Sequence, residues 1–295
     1  MKKLIFLSFT IIILGVGLLI FWEFIIPLLN PSNGRLSIST TETGAKVFFD
    51  GKEIGTTPFY SDHLRVGDHK IEVGASNNQG FRFTTNTTLN STTLSVLDLD
   101  LASSQTFSAG ENLYFKEGLS GLSLLTRPEG AVVSIDGKSA GSAPLNKSLG
   151  TGVHTLKVEK TGYLPREVEI NIESGYKLLA LVYLSANPFE KITKIDNSSK
   201  ASLFRITNNV VDLSSSYSDW VAGIKHSQTS LDKLSAQFDF LIDPNGVTYI
   251  LNPTEWTNKE TTKSLVNIGY LTKNESDQVT TKAQAEWLKI KNEFN

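Results

Sequence analysis

The stretch "RPEGAVVSIDGKSAGSAP", residues 127–144, recurs in altered form as "TETGAKVFFDGKEIGTTP", residues 41–58. Gly44 matches Gly130, and Asp50-Gly51-Lys52 matches Asp136-Gly137-Lys138. Gly55 and Pro58 match Gly141 and Pro144. A duplicated segment signals a duplicated structural unit. Val47 and Phe49, like Val133 and Ile135, alternate as the inward face of a strand does. Asp-Gly supplies two neighbouring residues that tolerate positive φ, a strong signal for a tight hairpin. The Gly and Pro that follow close a second turn. Further on, "GDHKIEV" (residues 67–73) matches "GVHTLKV" (152–158), and Val/Ile/Leu-rich runs follow each copy. Each copy is therefore read as a small all-β unit of about five strands. His69 and His154 take equivalent places after a glycine and are read as strand-entry histidines bonded to a turn. Asp50, Gly51, Pro58, Asp136, Gly137 and Pro144 are read as turn residues, since an isolated Asp-Gly lacks the spaced oxygen ligands of a calcium site.

Outward from the repeats, composition sets limits. The chain has 295 residues, room for several domains, and 40% are hydrophobic, enough for packed cores. Its 28 basic and 30 acidic residues give a net charge of −2. No basic face is implied, so no nucleic-acid partner is expected. With no cysteine, disulfides, thiolate metal sites and a cysteine nucleophile are excluded. The N-terminus reads "MKKLIFLSFTIIILGVGLLIFWEF", with Lys2 and Lys3 ahead of an uncharged run from Leu4 to Trp22. As a helix that run spans about 28 Å, close to the hydrocarbon thickness of a bilayer. No small-residue cleavage site follows it. Residues 1–30 are therefore expected to be a cytoplasmic N-terminus and transmembrane signal anchor, the lysines holding the N-terminus inside. The protein is placed in the membrane as a single-pass chain with its later domains extracytoplasmic.

With Pro128-Glu129-Gly130-Ala131 and the shared Asp-Gly and Gly-x-x-Pro turns, the second copy resembles the PEGA repeat. The first copy is similar, with Glu42-Thr43-Gly44-Ala45 at that place. The resemblance implies β-sandwich modules of extracytoplasmic surface proteins, without catalysis. The expected domains are a PEGA-like unit at 34–101, a Ser- and Gly-rich linker at 102–118, a second PEGA-like unit at 119–185, and an α/β domain at 187–295. The fold class is multidomain: an N-terminal transmembrane helix, two β-sandwich-like repeats and a C-terminal α/β domain.

In that last domain "SLFRITNNVVDLS" (202–214) reads as a strand, and "SYSDWVAGIKHSQTS" (216–230) as a helix with Trp220, Val221 and Ile224 on one face. "SAQFDFLIDPNGVTYILNP" (235–253) reads as a hairpin, with Phe238, Phe240 and Ile242 on one side and "DPNG" as its turn. "KSLVNIGYLTKN" is a strand, and "VTTKAQAEWLKIKNEF" a helix capped by Thr280 or Thr281, with Ala285, Leu288 and Ile290 toward the sheet. The hairpin, the Ile-Gly strand and the Thr-x-x-Gln helix ending in Gln284 resemble the N-acetylmuramoyl-L-alanine amidase fold shared with peptidoglycan-recognition proteins. That family places a histidine where Gln237 stands and another near Asp212; the acidic residue after Ile-Gly is Tyr270 here. Its remaining ligands lie beyond the last helix, and this sequence stops at Asn295. A catalytic zinc needs three protein ligands and an open position. The expectation is therefore a pseudoenzyme: no metal, no cofactor and no catalytic residue.

Asp212, Gln237, Trp256 and Tyr270 are the candidate ligand groove. Its partners are expected to be cell-wall glycan or other envelope proteins, besides the membrane. Two other readings stay open: a peptidoglycan amidase with unusual ligands such as Asp212 and His226, and a purely structural stalk for protein contacts.

Overall fold

The computed structural model describes residues 13–19, 21, 33–74, 81–197, 201–208, 216–230, 238–251 and 266–294. Most of the expected membrane anchor lies outside them. Residues 13–19 are helical, and Ile13, Leu14, Leu18 and Leu19 are exposed. Among the described residues no helix is long and apolar enough to cross a membrane.

Each repeat folds as two facing sheets. Repeat 1 comprises β1 (Gly34–Thr40), β2 (Lys46–Phe49), β3 (Lys52–Thr56), β4 (Phe59–Leu64), β5 (Gly67–Gly74), β6 (Arg82–Leu89) and β7 (Leu94–Asp100). After β8 (Ala109–Glu117), repeat 2 runs through β9 (Gly121–Arg127), β10 (Val132–Ile135), β11 (Lys138–Ser142), β12 (Leu145–Lys147), β13 (Gly152–Glu159), β14 (Arg166–Ile172) and β15 (Tyr176–Tyr183). The Asp-Gly turns close the β2–β3 and β10–β11 hairpins. Asp50 and Asp136 adopt φ of 48° and 51°, and Gly51 and Gly137 φ of 82° and 72°, the left-handed geometry that favours these residue types. The short strands after each turn raise the strand number above the expected five.

Segment 102–118, expected as a linker, holds β8, a nine-residue strand. It pairs antiparallel with β7 on one side and β15 on the other. One seven-stranded sheet results, in the order β12-β9-β15-β8-β7-β1-β4. Two further sheets, β3-β2-β5-β6 and β11-β10-β13-β14, complete the sandwiches. Register shows which face each covers. Leu36, Ile38, Leu97 and Leu99 enter the core of repeat 1, and Asn112, opposite Leu97, shares their face. Leu178, Ala180 and Val182 enter the core of repeat 2, as do Leu122 and Leu124 beside them, with Leu113 opposite Ala180. Residues 112 and 113 point to opposite faces because side chains alternate along a strand. The two four-stranded sheets therefore cover opposite faces of the shared sheet. The strand order mirrors about β8 while strand direction is kept, which is pseudo-twofold symmetry about an axis along β8.

The C-terminal domain is a mixed sheet, β16-β17-β20-β18-β19, built from β16 (Lys191–Asn197), β17 (Ala201–Thr207), β18 (Phe240–Ile242), β19 (Thr248–Ile250) and β20 (Val266–Thr272). β17, β20 and β18 run parallel. Helix α1 (Tyr217–Ser230) buries Trp220 and Ile224 with Ile206, Leu241 and Leu271 on one face. Helix α2 (Thr281–Phe294) buries Ala283, Trp287 and Ile290 with Leu203, Ile242, Ile268 and Tyr270 on the other. Phe240, Leu241 and Ile242 are all buried, because a parallel core strand is covered on both sides. Phe238 joins the α1 cluster while Phe240 and Ile242 join the α2 cluster, so the three do not share one side as expected. The inward face of α2 differs too: Ala285 and Leu288 are exposed, and the buried set follows the i, i+4, i+7 spacing of 283, 287 and 290. Thr280 caps the helix, its Oγ1 accepting from Ala283 N at 3.3 Å while donating to Pro244 O at 2.7 Å.

Candidate functional site

Of the expected groove residues, Asp212, Gln237 and Trp256 lie outside the described residues. Tyr270 is only 1% exposed. It stands on β20 at the centre of the sheet, inside the α2 cluster, with its hydroxyl 3.4 Å from Gln278 O. Burial raises its pKa above the usual phenol value. A ring packed in this way offers no stacking face to a sugar, so Tyr270 is a core residue and not a groove residue. Trp220 is likewise fully buried, with its indole N–H donated to Pro188 O at 3.0 Å.

The side chains that do meet around open space lie where the α/β domain joins the repeats. The chain leaving β7 turns back through residues 102–108, closed by Ser108 Oγ donating to Ser104 O at 2.8 Å. This loop is tied to the exit from β15: Ser185 Oγ donates to Phe107 O at 2.9 Å, and Ala186 N to Thr106 O at 2.8 Å. Phe107 is thereby pushed outward onto α1. It sits over Gly223, where a Cβ would meet the ring at 2.5 Å. Ala102, Phe107 and Ala186 form one buried cluster with Trp220, Ile224 and Leu241. The C-terminal domain is thus docked on the PEGA-like pair through a continuous apolar contact.

Beside that contact lies a cavity of about 130 Å³, lined by Asp100, Leu164, Arg166, Ser185, His226 and Ser227 among others. His226, expected on a helix, is on α1; its Nε2 is 3.4 Å from Asp100 Oδ1. The His226 ring beside it does most to hold the Asp100 carboxyl below its usual range, with Thr41 and Arg166 adding to it against burial. Arg166 is paired through Nε with Glu111 on β8. Burial raises the Glu111 pKa, and the guanidinium works against that rise. The cavity wall is therefore polar, with the Asp100 carboxylate, the Arg166 guanidinium and the His226 ring among its lining side chains. Ser185 donates to a backbone carbonyl, and His226 faces the Asp100 carboxylate. Among the described residues no group of three His or acidic side chains could hold a metal ion.

The twin turns are the other built feature. His69 Nδ1 lies 2.8 Å from Asp50 Oδ2, and His154 Nδ1 2.7 Å from Asp136 Oδ2. Asp50 Oδ1 accepts from Lys70 N, and Asp136 Oδ1 from Thr155 N, both at 3.0 Å. The two histidines are turn-bonded strand-entry residues, as their spacing suggests. The junction residues, Phe107, Asp100 and Arg166, carry no local signal; only the short distance in sequence between β7 and β8 could have hinted that 102–108 is held in place.

No curated protein matches the sequence. The family model of the PEGA domain matches residues 33–101 and 119–183, the same spans that fold as the two facing-sheet units, and the chain therefore carries two PEGA domains.

Proposed function

We propose that this protein is a membrane-anchored, extracytoplasmic envelope protein that acts as a non-catalytic binding and scaffolding module. The observation that carries the reading is the docking of the α/β domain on the PEGA pair through Phe107, Trp220 and Ile224. A domain seated in this way is held in a fixed place against the repeats, which suits holding a ligand. The apolar N-terminal run behind two lysines supports tethering to a membrane. The two PEGA domains support placement outside the cytoplasm, as the family resemblance implies.

We further propose that the α/β domain is a degenerate relative of the muramoyl amidase fold. The three stretches that carry that likeness form β18–β19, β20 and α2, neighbours in one sheet and the helix that covers it. Its ligand is then peptidoglycan, with a surface protein as the other candidate. The test is sedimentation of the full chain, in detergent, with purified insoluble cell wall. The chain is expected in the pellet and to be displaced by soluble wall fragments. A chain that stays in the supernatant refutes wall binding and leaves protein contacts as the role.

A further inference from the structure

His69 and His154 hold equivalent places in the two repeats, yet their rings meet different partners. Among the described residues His69 has one acceptor, Asp50 Oδ2, and its buried Nε2 has no hydrogen-bond partner. His154 has two: Asp136 Oδ2 at 2.7 Å from Nδ1, and the carbonyl oxygen of Gly150 at 3.0 Å from Nε2. A carboxylate oxygen and a carbonyl oxygen both only accept. Two acceptors call for two N–H donors, and an imidazole has two only as the cation. In the neutral ring, one nitrogen presents its lone pair to an oxygen lone pair.

Gly150 lies in the loop that follows β12, a three-residue strand at the edge of the seven-stranded sheet, paired with β9 alone. Asp136 is in the turn of the opposite sheet. The ring therefore joins the two sheets of the sandwich at this end. In repeat 1 the corresponding edge strand, β4, is six residues long. We propose that His154 is a pH-sensitive latch: as the imidazolium it ties loop 148–151 to the Asp136 turn, and loss of one proton frees that loop and loosens β12 from the sheet edge.

The charges that bear on the ring are few. The Asp136 carboxylate faces it, Lys138 on β11 acts on that carboxylate, and β14 sets the uncharged Ile170 opposite. The hydrogen bond to Asp136, then that to Gly150 O, raises the His154 pKa above 6.5, partial burial opposing. The stabilisation is thus complete below the unfolded value and disappears as pH rises through the raised folded value.

Hydrogen exchange on the full chain in detergent tests the latch, read by mass spectrometry and corrected for intrinsic rates. Between about pH 6 and about pH 8.5, protection over residues 145–151 is expected to fall by at least roughly ten-fold, a local opening. Protection over 59–66 is expected to hold. Nitrogen chemical shifts of labelled His154 should show both ring nitrogens protonated at the lower pH and one at the higher. Asp136→Asn should give the open pattern at both. Unchanged protection over 145–151, or a singly protonated His154 at the lower pH, would overturn the proposal; the shift measurement needs no variant, so a misfolded Asp136→Asn does not shelter it.

Discussion

Gly223 shows how much one residue can settle. Its missing side chain makes the hollow that receives Phe107, and the whole C-terminal domain docks there. Replacing it with alanine puts a carbon 2.5 Å from the ring. Overpacking of this kind costs about 1–3 kcal/mol. Gly223→Ala should therefore lower the denaturant midpoint and speed proteolytic cleavage near residues 102–108, and Phe107→Leu in the same chain should restore part of the loss. Asp100 makes a second residue-scale prediction. Its carboxyl is held below the usual range chiefly by His226, so the stabilisation is present above about pH 3.8 and is lost as pH falls through the lowered folded value. A series of chemical denaturation curves from neutral to acid pH should show a smaller drop in Asp100→Asn than in the parent chain. The turn chemistry of Asp50, Gly51, Asp136 and Gly137 was readable in the sequence because positive φ restricts residue choice locally. The Phe107–Gly223 contact was not, because it joins residues 116 positions apart with no motif between them.

At the scale of elements, β8 changes the picture most. A Ser- and Gly-rich approach to it resembles a linker, but the strand is sealed between β7 and β15 and belongs to both repeats. Its alternate side chains serve opposite sandwiches. Asn112 is fully buried, accepting from Thr87 Oγ1 at 3.0 Å and donating to Asn86 O at 2.8 Å. Tyr183 completes this network through Thr85. On the other face, Glu111 meets Arg166. Removing one partner of a buried ion pair costs about 3–5 kcal/mol because a charge is left without compensation. With the Arg166 side chain 21% exposed, Arg166→Ala should lower the unfolding free energy by less than that, and Asn112→Ala by about 1–3 kcal/mol for the groups left unbonded. Equilibrium urea unfolding measures both. In the C-terminal domain the element types followed from pattern, while the inward faces did not. Alternation fails on β18 since both its faces are covered, and the α2 face is set by Trp287, whose bulk outweighs Leu288 in deciding which side turns inward.

For the whole molecule, the consequence is a single docked assembly. The seven-stranded sheet fuses the PEGA domains, and the α1 cluster joins the third domain to them. The described strands and helices from residue 34 onward should therefore resist proteolysis together. The proposed anchoring, with the N-terminus inside, predicts that a protease added outside intact cells reaches this assembly. The expected groove was legible only as a list of residues: Tyr270 is spent on the core, and the others fall outside the described structure. The proposal that the assembly holds cell wall without cutting it matters most, and mass spectrometry of the soluble fraction tests it directly after purified sacculi are incubated with the full chain and zinc. The account predicts wall-bound protein and no released stem peptides; stem peptides appearing in proportion to added protein and time would contradict it.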